Sequence, residues 1–335
     1  FVIDTEGRSV TLIYVDATQG WLLTGASQKS DITDDVFITA TGGTITTCGD
    51  FKIHTFTGPG TFCVSAGAGP VSVADYVVLA GGGGGGGTTG PGAMGAGGAG
   101  GYRESHVVAT SGCYTASPLA SSTSLPITVQ GYPITVGAGG TGGTPSPPAP
   151  GTVTVGAKGS NSIFSTITSA GGGGANAPTC IRAGGSGGSP GGAGNTPPVS
   201  PPQGNPGGVR SPTSPSGPMF VHGGGGGAGS AGSNAPPTGP GGSGGNGVAT
   251  SITGSSVTRA GGGGGGAHNT PPSSGGAGGP GGGGSGVGNS GNGVSGTVNT
   301  GGGGGGTGGA GAGGCSPQNG GAGGSGVVII RYKFQ

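Results

Sequence analysis

Runs of consecutive glycine limit what this chain can fold into more than any other feature. Its 335 residues include 98 glycines, with uninterrupted runs at 81–87, 261–266 and 301–306. Glycine has no side chain to bury, and it loses more conformational freedom on folding than any other residue. Such a chain either stays disordered or becomes ordered through close backbone contacts that only glycine permits.

The composition favours order over disorder and excludes some classes of function. Hydrophobic residues make up 29% of the chain, but charged residues make up only 6% and the net charge is +1. Disordered chains usually combine low hydrophobicity with high net charge. Ten lysines and arginines supply too little positive charge for a nucleic-acid-binding protein. No apolar run reaches the 18 residues that indicate a membrane span, so we do not expect a membrane protein.

A spacing of three recurs within the glycine tracts, as in Gly275-Gly276-Ala277 followed by Gly278-Gly279-Pro280. Three residues per turn is the period of the polyproline II helix. Collagen is excluded because it needs glycine at every third position with proline between. The remaining ordered structure is a bundle of polyglycine II helices, whose N–H and C=O groups bond between helices. The predicted fold class is therefore all-β N-terminal units followed by a polyglycine II helix bundle with irregular loops and almost no α-helix.

Changes in composition divide the chain into five predicted segments. They are a β neck or attachment segment at 1–26, a polar linker at 27–35, a small β domain at 36–80, a glycine-rich domain at 81–326 and a C-terminal strand at 327–335.

Local patterns within these segments predict pairings and faces. The alternating runs 1–3 and 9–15 flank a glycine turn and predict a hairpin. Phe51 and Ile53 alternate with polar residues, so we expect Lys52 and His54 on the opposite face of that strand. The strand 327–332 and the strand 75–79 both adjoin glycine tracts. We expect them to pair, because an unpaired apolar terminal strand is an aggregation edge. Tyr102 and Tyr132 adjoin strand-like segments and are predicted to be structural.

The candidate chemical groups do not form a recognisable reactive or metal-binding pattern. The histidines are isolated, and the glycine-rich region lacks the acids that a triad or a carboxylate pair needs. We therefore expect no enzyme, no catalytic residue and no cofactor. No Cys-x-x-Cys spacing occurs, so no metal site is predicted. We interpret the thiols as small buried apolar groups, although a disulfide framework stays open. The five cysteines are Cys48, Cys63, Cys113, Cys180 and Cys315.

Several strand-bearing motifs resemble those of virion structural proteins of marine cyanophages. The opening Phe1-Val2-Ile3-Asp4-Thr5-Glu6-Gly7 and the segment Tyr14 to Trp21 resemble one part of those proteins. The blocks 40–57 and 75–83 are similar to the start of their glycine-rich domain. The motifs 100–105 and 327–332 also fit, so the resemblance covers nearly the whole chain.

This resemblance implies a tail-fibre or related appendage protein of a phage virion. The layout of tracts and loops is also similar to the tip adhesins of T-even-like phages, in which a polyglycine II sandwich displays loops that touch the host surface. The resemblance implies a homotrimer that attaches to other virion proteins through its N-terminal segment. It further implies contact with a glycan or an outer-membrane component of the host.

Two stretches between the tracts combine length with side chains suited to sugar recognition, the stretch 195–222 and the one around His268. Aromatic rings stack on sugars, and Asn, His and Arg bond their hydroxyls. Capping of the bundle ends explains the same residues. The predicted receptor-contact residues are Arg210, Phe220, His222, His268 and Asn269. Two alternatives stay open: a purely structural fibre or decoration protein, and an ice-binding bundle, which needs a flat and regular face.

Overall fold

The computed structural model shows a β-sandwich joined to a bundle of extended glycine-rich segments. The structure describes residues 2–3, 11–16, 20–25, 32–33, 36–68, 72–90, 92–145, 153–175, 203–209, 220–237, 239–268, 274–309 and 317–335.

Strands are short, and they are interspersed with the glycine tracts from Gly81 onward. The strands are β1 (Val2–Ile3), β2 (Thr11–Asp16), β3 (Gly20–Gly25), β4 (Ile32–Thr33), β5 (Val36–Thr41), β6 (Thr44–Cys48), β7 (Phe51–Phe56), β8 (Gly60–Ala68), β9 (Val73–Leu79), β10 (Gly87–Thr88), β11 (Tyr102–Ser105), β12 (Ala120–Ser121), β13 (Leu125–Pro126), β14 (Gly131–Thr135), β15 (Val153–Thr154), β16 (Ser162–Phe164), β17 (Ile167–Ser169), β18 (Phe220–Val221), β19 (Val248–Thr250), β20 (Val257–Arg259), β21 (Ala267–His268) and β22 (Val327–Lys333).

The fold is all-β, as predicted, with essentially no helix. Among the described residues the only α-helix is α1 (Val108–Ser111), which is a single turn. None of the described residues belongs to a helix with the length and apolar character needed to cross a bilayer.

Two large sheets form the sandwich. The seven-stranded sheet has the order β12-β11-β9-β22-β7-β6, with β13 also paired to β9, and the five-stranded sheet has the order β17-β16-β14-β8-β5. Even-numbered residues of the seven-stranded sheet, such as Tyr76, Val78 and Ile330, pack against Phe62 and Phe164 of the other sheet. These apolar side chains fill the space between the sheets and form the main core.

The opposite face of the seven-stranded sheet is also buried. Its odd-numbered residues Val77, Leu79 and Ile329 pack against Ala99 and Ala260, which belong to the glycine-rich region. The sheet is therefore the central layer of the molecule, with the five-stranded sheet on one side and part of the glycine-rich region on the other.

The C-terminal strand lies in the middle of this central sheet. β22 pairs antiparallel with β9 along Val327–Arg331 and antiparallel with β7 along Val328–Lys333. The predicted pairing with the strand at 75–79 is therefore confirmed. Its side chains from Val327 to Tyr332 are at most 3% exposed, because strands flank it on both edges and residues pack on both faces.

The predicted N-terminal hairpin is wrong. β1 pairs with β4, and β2 pairs with β3 instead of with the opening residues. The partner of β1, Ile32–Thr33, also lies within the segment predicted to be a linker. Alternation alone could not reveal this, because either neighbour of β2 satisfies the same period-two pattern.

The cysteines differ from prediction, whereas the alternation in β7 is as predicted. Ile53 packs on the side of the glycine-rich region, and His54 lies on the opposite face, where it is fully buried between the sheets beside Phe62. The loop 57–60 crosses from one sheet to the other, since β7 and β8 lie in different sheets. Cys48, Cys63 and Cys113 are exposed free thiols and not buried groups. Cys180 and Cys315 lie outside the described residues.

Backbone hydrogen bonds between glycine tracts repeat every three residues. Tract 81–87 shows the pattern most completely, because three successive N–H groups donate to three different tracts and the cycle then begins again. The donor–acceptor distances are 2.8 to 3.1 Å. From Gly81 to Gly86, the acceptors are in turn the carbonyl oxygens of Ser160, Gly324, Gly98, Ala157, Gly321 and Gly95.

Six neighbours therefore surround tract 81–87, because three other tracts donate N–H bonds back to its carbonyls. These donors belong to segments 140–143, 172–175 and 301–307. Tracts 261–266 and 301–307 have six neighbours in the same manner. A three-residue period with hydrogen bonds between tracts and none within a tract is the predicted polyglycine II arrangement, since polyproline II-type helices have no internal hydrogen bonds.

Close approach explains why these positions are glycine. A Cβ on Gly83 would lie under 3.0 Å from the carbonyl oxygen of Gly173. A Cβ on Gly58, in the loop between β7 and β8, would meet no atom within 4 Å.

We expect Gly83→Ala to destabilise the protein much more than Gly58→Ala, which is the matched control. The added methyl group would push two tracts apart and leave buried N–H and C=O groups unpaired, at about 1–3 kcal/mol for each group. Denaturant unfolding of both variants measures the difference. Equal unfolding free energies would contradict the close-packed bundle.

The burial of His54 makes the stability of the protein depend on pH. Its Nδ1 lies 2.7 Å from the Gly42 carbonyl oxygen and its Nε2 lies 3.0 Å from the Tyr332 hydroxyl. Burial lowers the pKa of His54 from its usual value of 6.5, although the Gly42 bond acts in the opposite direction. A lowered pKa means that the unfolded chain binds this proton more readily than the folded one. The resulting stability is present above about pH 6.5 and is lost as the pH falls.

The melting temperature should therefore fall on acidification from about pH 8 to pH 5. His54→Gln should flatten this dependence, whereas His106→Gln, at a half-buried histidine, should keep it. An unchanged slope in the His54 variant would show that this group does not control the acid sensitivity.

Candidate functional site

The two ends of the glycine bundle are built differently. At the end next to the sandwich, tracts continue directly into strands, as where tract 81–87 follows β9 and the tract at 317–326 precedes β22. Other tracts reverse there through tight turns at 228–230, 280–282 and 298–301. Two longer stretches also belong to this end: the 105–124 segment packs on the central sheet, and the chain from described residue 175 returns at Gln203, whose side chain accepts from the Ala170 N–H.

At the opposite end, named here the loop-bearing end, the connections are longer and rich in proline. They join described residues 144 to 153, 209 to 220, 235 to 239, 268 to 274 and 309 to 317. Proline has no N–H group, so it cannot donate to the lattice that joins the tracts. Proline-rich sequence is therefore suited to the places where the lattice stops.

Short backbone pairings fix where these connections begin. β10 pairs with β15, and Thr88 of β10 also bridges to Gln318. β18 pairs with β21, and Ala267 of β21 also bridges to Gly288. A small apolar cluster of Val221, Ala235 and Ala267 supports the second group from below. The loop-bearing end therefore has a defined floor from which the connections leave.

The structure brings two of the predicted receptor-contact residues together. Phe220 and His268 are cross-strand partners in the β18–β21 pair. His268 is half-buried. Arg210 and Asn269 lie outside the described residues, one position beyond Val209 and His268 respectively.

His222 does not have the predicted exposed position. Its side chain is fully buried. Its backbone N–H donates to Gly266 and its carbonyl accepts from Gly242, at 3.1 and 2.9 Å. His222 is therefore part of the packed floor, which is the capping role that the sequence left open.

Other residues at this end were not predicted from sequence. Val209 is 43% exposed, and its N–H donates to the Asn234 side-chain oxygen at 2.9 Å. Asn289 and Ser290 have φ angles of 40° and 63° and form a left-handed turn. The asparagines are a partial signal for such turns, because Asn tolerates the left-handed region. The exposure of Val209 has no signal in the sequence.

The described part of the loop-bearing end carries no Asp, Glu, Lys or Arg. Arg210 is the charged residue that the sequence places next to it.

A second polar cluster lies under α1 and is structural. The Asp75 carboxylate accepts hydrogen bonds from the hydroxyls of Ser105, Ser111 and Ser124 at 2.6 to 2.8 Å, and from the Val107 N–H at 2.7 Å. Because Asp75 is fully buried and all these donors are protein groups, the cluster anchors the 105–124 segment to the central sheet.

Glu104 forms a similar buried anchor. It accepts from Tyr102, Ser117 and Thr250. Burial, followed by the nearby Glu104 charge, raises the pKa of Tyr102 well above its usual range. Tyr102 therefore stays protonated and donates to Glu104. The predicted structural role of Tyr102 and Tyr132 agrees with their burial. Within the described ranges no group of three His, Cys, Asp or Glu residues is arranged to hold a metal ion.

The chain matches a family described as a glycine-rich domain over residues 55–333. This match spans most of the chain, so the protein belongs to that family. No curated protein matches the chain.

Proposed function

We propose that this member of the glycine-rich domain family is the distal, adhesin-like part of a phage tail fibre or related appendage. Its loop-bearing end attaches the particle to the host cell surface, through a glycan or an outer-membrane component. The N-terminal segment 1–26 joins it to other virion proteins. The motifs that resemble cyanophage virion proteins indicate a marine cyanobacterial host.

The observation that carries this proposal is the difference between the two ends of the bundle. A rod with a purely mechanical role has no need for long, irregular connections gathered at one end. Binding proteins, in contrast, commonly place variable loops on a rigid scaffold. Here the scaffold is a lattice of backbone hydrogen bonds, and its other end is occupied by the sandwich.

The side chains at the loop-bearing end support a sugar ligand. Phe220 and His268 are cross-strand partners, so the backbone register brings an aromatic and an imidazole residue to one point of this end. Arg210 and Asn269 are the next residues along their segments. Residues of these types stack on sugar rings and bond hydroxyl groups, while the absence of charge among the described neighbours suits a neutral glycan.

Ice binding is the second candidate, and a specific observation favours it. The tract at 136–144 exposes Ala138, Thr141 and Thr144, which are three residues apart and therefore form a regular stripe. On the neighbouring side of the bundle, however, Asn292 and Ser295 bond the backbone N–H groups of Asn319 and Ala322. Side chains engaged in this way interrupt a regular face. A thermal-hysteresis measurement on the purified chain tests this candidate independently of cell binding.

The attachment proposal is tested by exchanging residues 210–219 for the corresponding loop of a phage with a different host range. The exchange stops at Val209 and Phe220 because the segments on both sides are part of the bundle. The matched control replaces the exposed residues 254–256 of the turn between β19 and β20, and leaves the buried Ile252 in place. Labelled full-length protein is then applied to a panel of marine cyanobacterial strains.

We expect the 210–219 variant to lose binding to the original strains by about tenfold or more, the effect of removing at least one central contact. The control variant should bind like the unmodified protein, and both should keep the same melting temperature. Equal binding by both variants, or no binding by the unmodified protein to any strain, would contradict the proposal.

A further inference from the structure

Strand edges of the two large sheets differ in how they are protected. An edge strand presents unpaired N–H and C=O groups that can pair with another chain, and proteins usually block such edges. β12, at one edge of the seven-stranded sheet, has only two residues. At the edges of the five-stranded sheet, β5 carries register irregularities, and the Gln203 side chain donates to the Thr168 carbonyl of β17.

β6 has none of these protections. It pairs with β7 in a regular register over all five residues, Thr44 to Cys48. Every one of these residues is exposed. No charged residue and no proline occurs between Gly42 and Gly49. Threonine and isoleucine also have high β propensity. Among the described edge strands of the sandwich, β6 is therefore the one best suited to pair with another strand.

We propose that β6 pairs antiparallel with β6 of a second copy of this chain, so that the two seven-stranded sheets become continuous. The strand is self-complementary in this arrangement. A full overlap of the five residues places Thr46 opposite Thr46 of the second copy and Ile45 opposite its Thr47. Symmetric twofold contacts of this type are the commonest way in which identical chains associate.

The surface chemistry agrees with a second copy as the occupant. β6 is neutral, so two identical strands meet without like-charge repulsion, which destabilises directly opposed residues. Ile45 is 43% exposed in the single chain and would gain an apolar cross-strand contact. Asp50 follows the strand, and Lys52 lies on β7 opposite Thr47, on the side of β6 away from the second copy.

Disulfide trapping tests the geometry directly. In full-length protein with all five native cysteines replaced by serine, Thr46→Cys should form a disulfide between two copies under mild oxidation. Opposed residues in antiparallel strands have Cα atoms about 4.5–5.5 Å apart, which lies within the range that disulfides span. Thr61→Cys is the matched control. Thr61 is also an exposed threonine, but β8 has strand partners on both edges.

Rapid cross-linking of the Thr46→Cys variant, with little cross-linking of the control, would support the pairing. This readout does not depend on any assembly through residues 1–26. Cross-linking at equal rates would overturn the proposal, because it would reflect random collision.

Analytical sedimentation at several protein concentrations provides a second test of the β6 pairing. Thr46→Lys places two ammonium groups face to face and should weaken this association by about tenfold. Thr46→Val, which keeps the branched shape without charge, should leave it unchanged. Equal association of all three proteins would overturn the proposal, as would a preference of β6 for a strand of another protein.

Discussion

Hydrogen bonds between neighbouring glycine tracts are the interaction on which the rest of the structure depends. Each tract bonds to its neighbours with a period of three, so an inner tract such as 81–87 contacts six others. This arrangement needs backbones so close that even one methyl group meets a carbonyl oxygen, as at Gly83. The glycines therefore function as the packing surface. Most of the bundle is held together without hydrophobic side chains, which explains how a chain with 29% hydrophobic residues can fold.

The lattice also determines how the sandwich and the bundle are joined. β9 and β22 run directly into tracts, and the odd-numbered face of their sheet is covered by residues such as Ala99 and Ala260. Order in the sandwich therefore fixes the ends of several tracts, and the tracts in turn bury one face of the sheet. Because this junction occupies one end, several of the long proline-rich connections leave the bundle at the other, although the chain between residues 175 and 203 ends beside the sandwich at Gln203.

The sequence predicted the repeating glycine tracts better than it predicted the burial and pairing of individual residues. The three-residue spacing indicated the bundle, and the position of 327–332 next to a tract indicated its pairing with β9. The alternation at Phe51 and Ile53 placed His54 on the correct face of β7, but not its burial, because the central sheet is covered on both faces. The exposed cysteines could not be recognised, since thiol burial depends on which sheet each strand joins. At the candidate site, the types of residue suited to contact were predictable, but the burial of His222 and the pairing of Phe220 with His268 depend on tertiary register.

The proposed pairing of two β6 strands determines how two loop-bearing ends can meet cells. β9 runs toward the bundle, β7 runs in the same direction as β9, and β6 runs away from the bundle. Antiparallel pairing of two β6 strands therefore directs the two bundles away from each other, and their loops cannot reach one flat surface together. Such a pair gains no avidity on a single cell, because both sites must be reachable at once. It can instead bridge two cells. The unmodified protein should then agglutinate cells that it binds, whereas Thr46→Lys should adsorb equally well without agglutination. Equal agglutination by both proteins would show that the two surfaces are not coupled in this way.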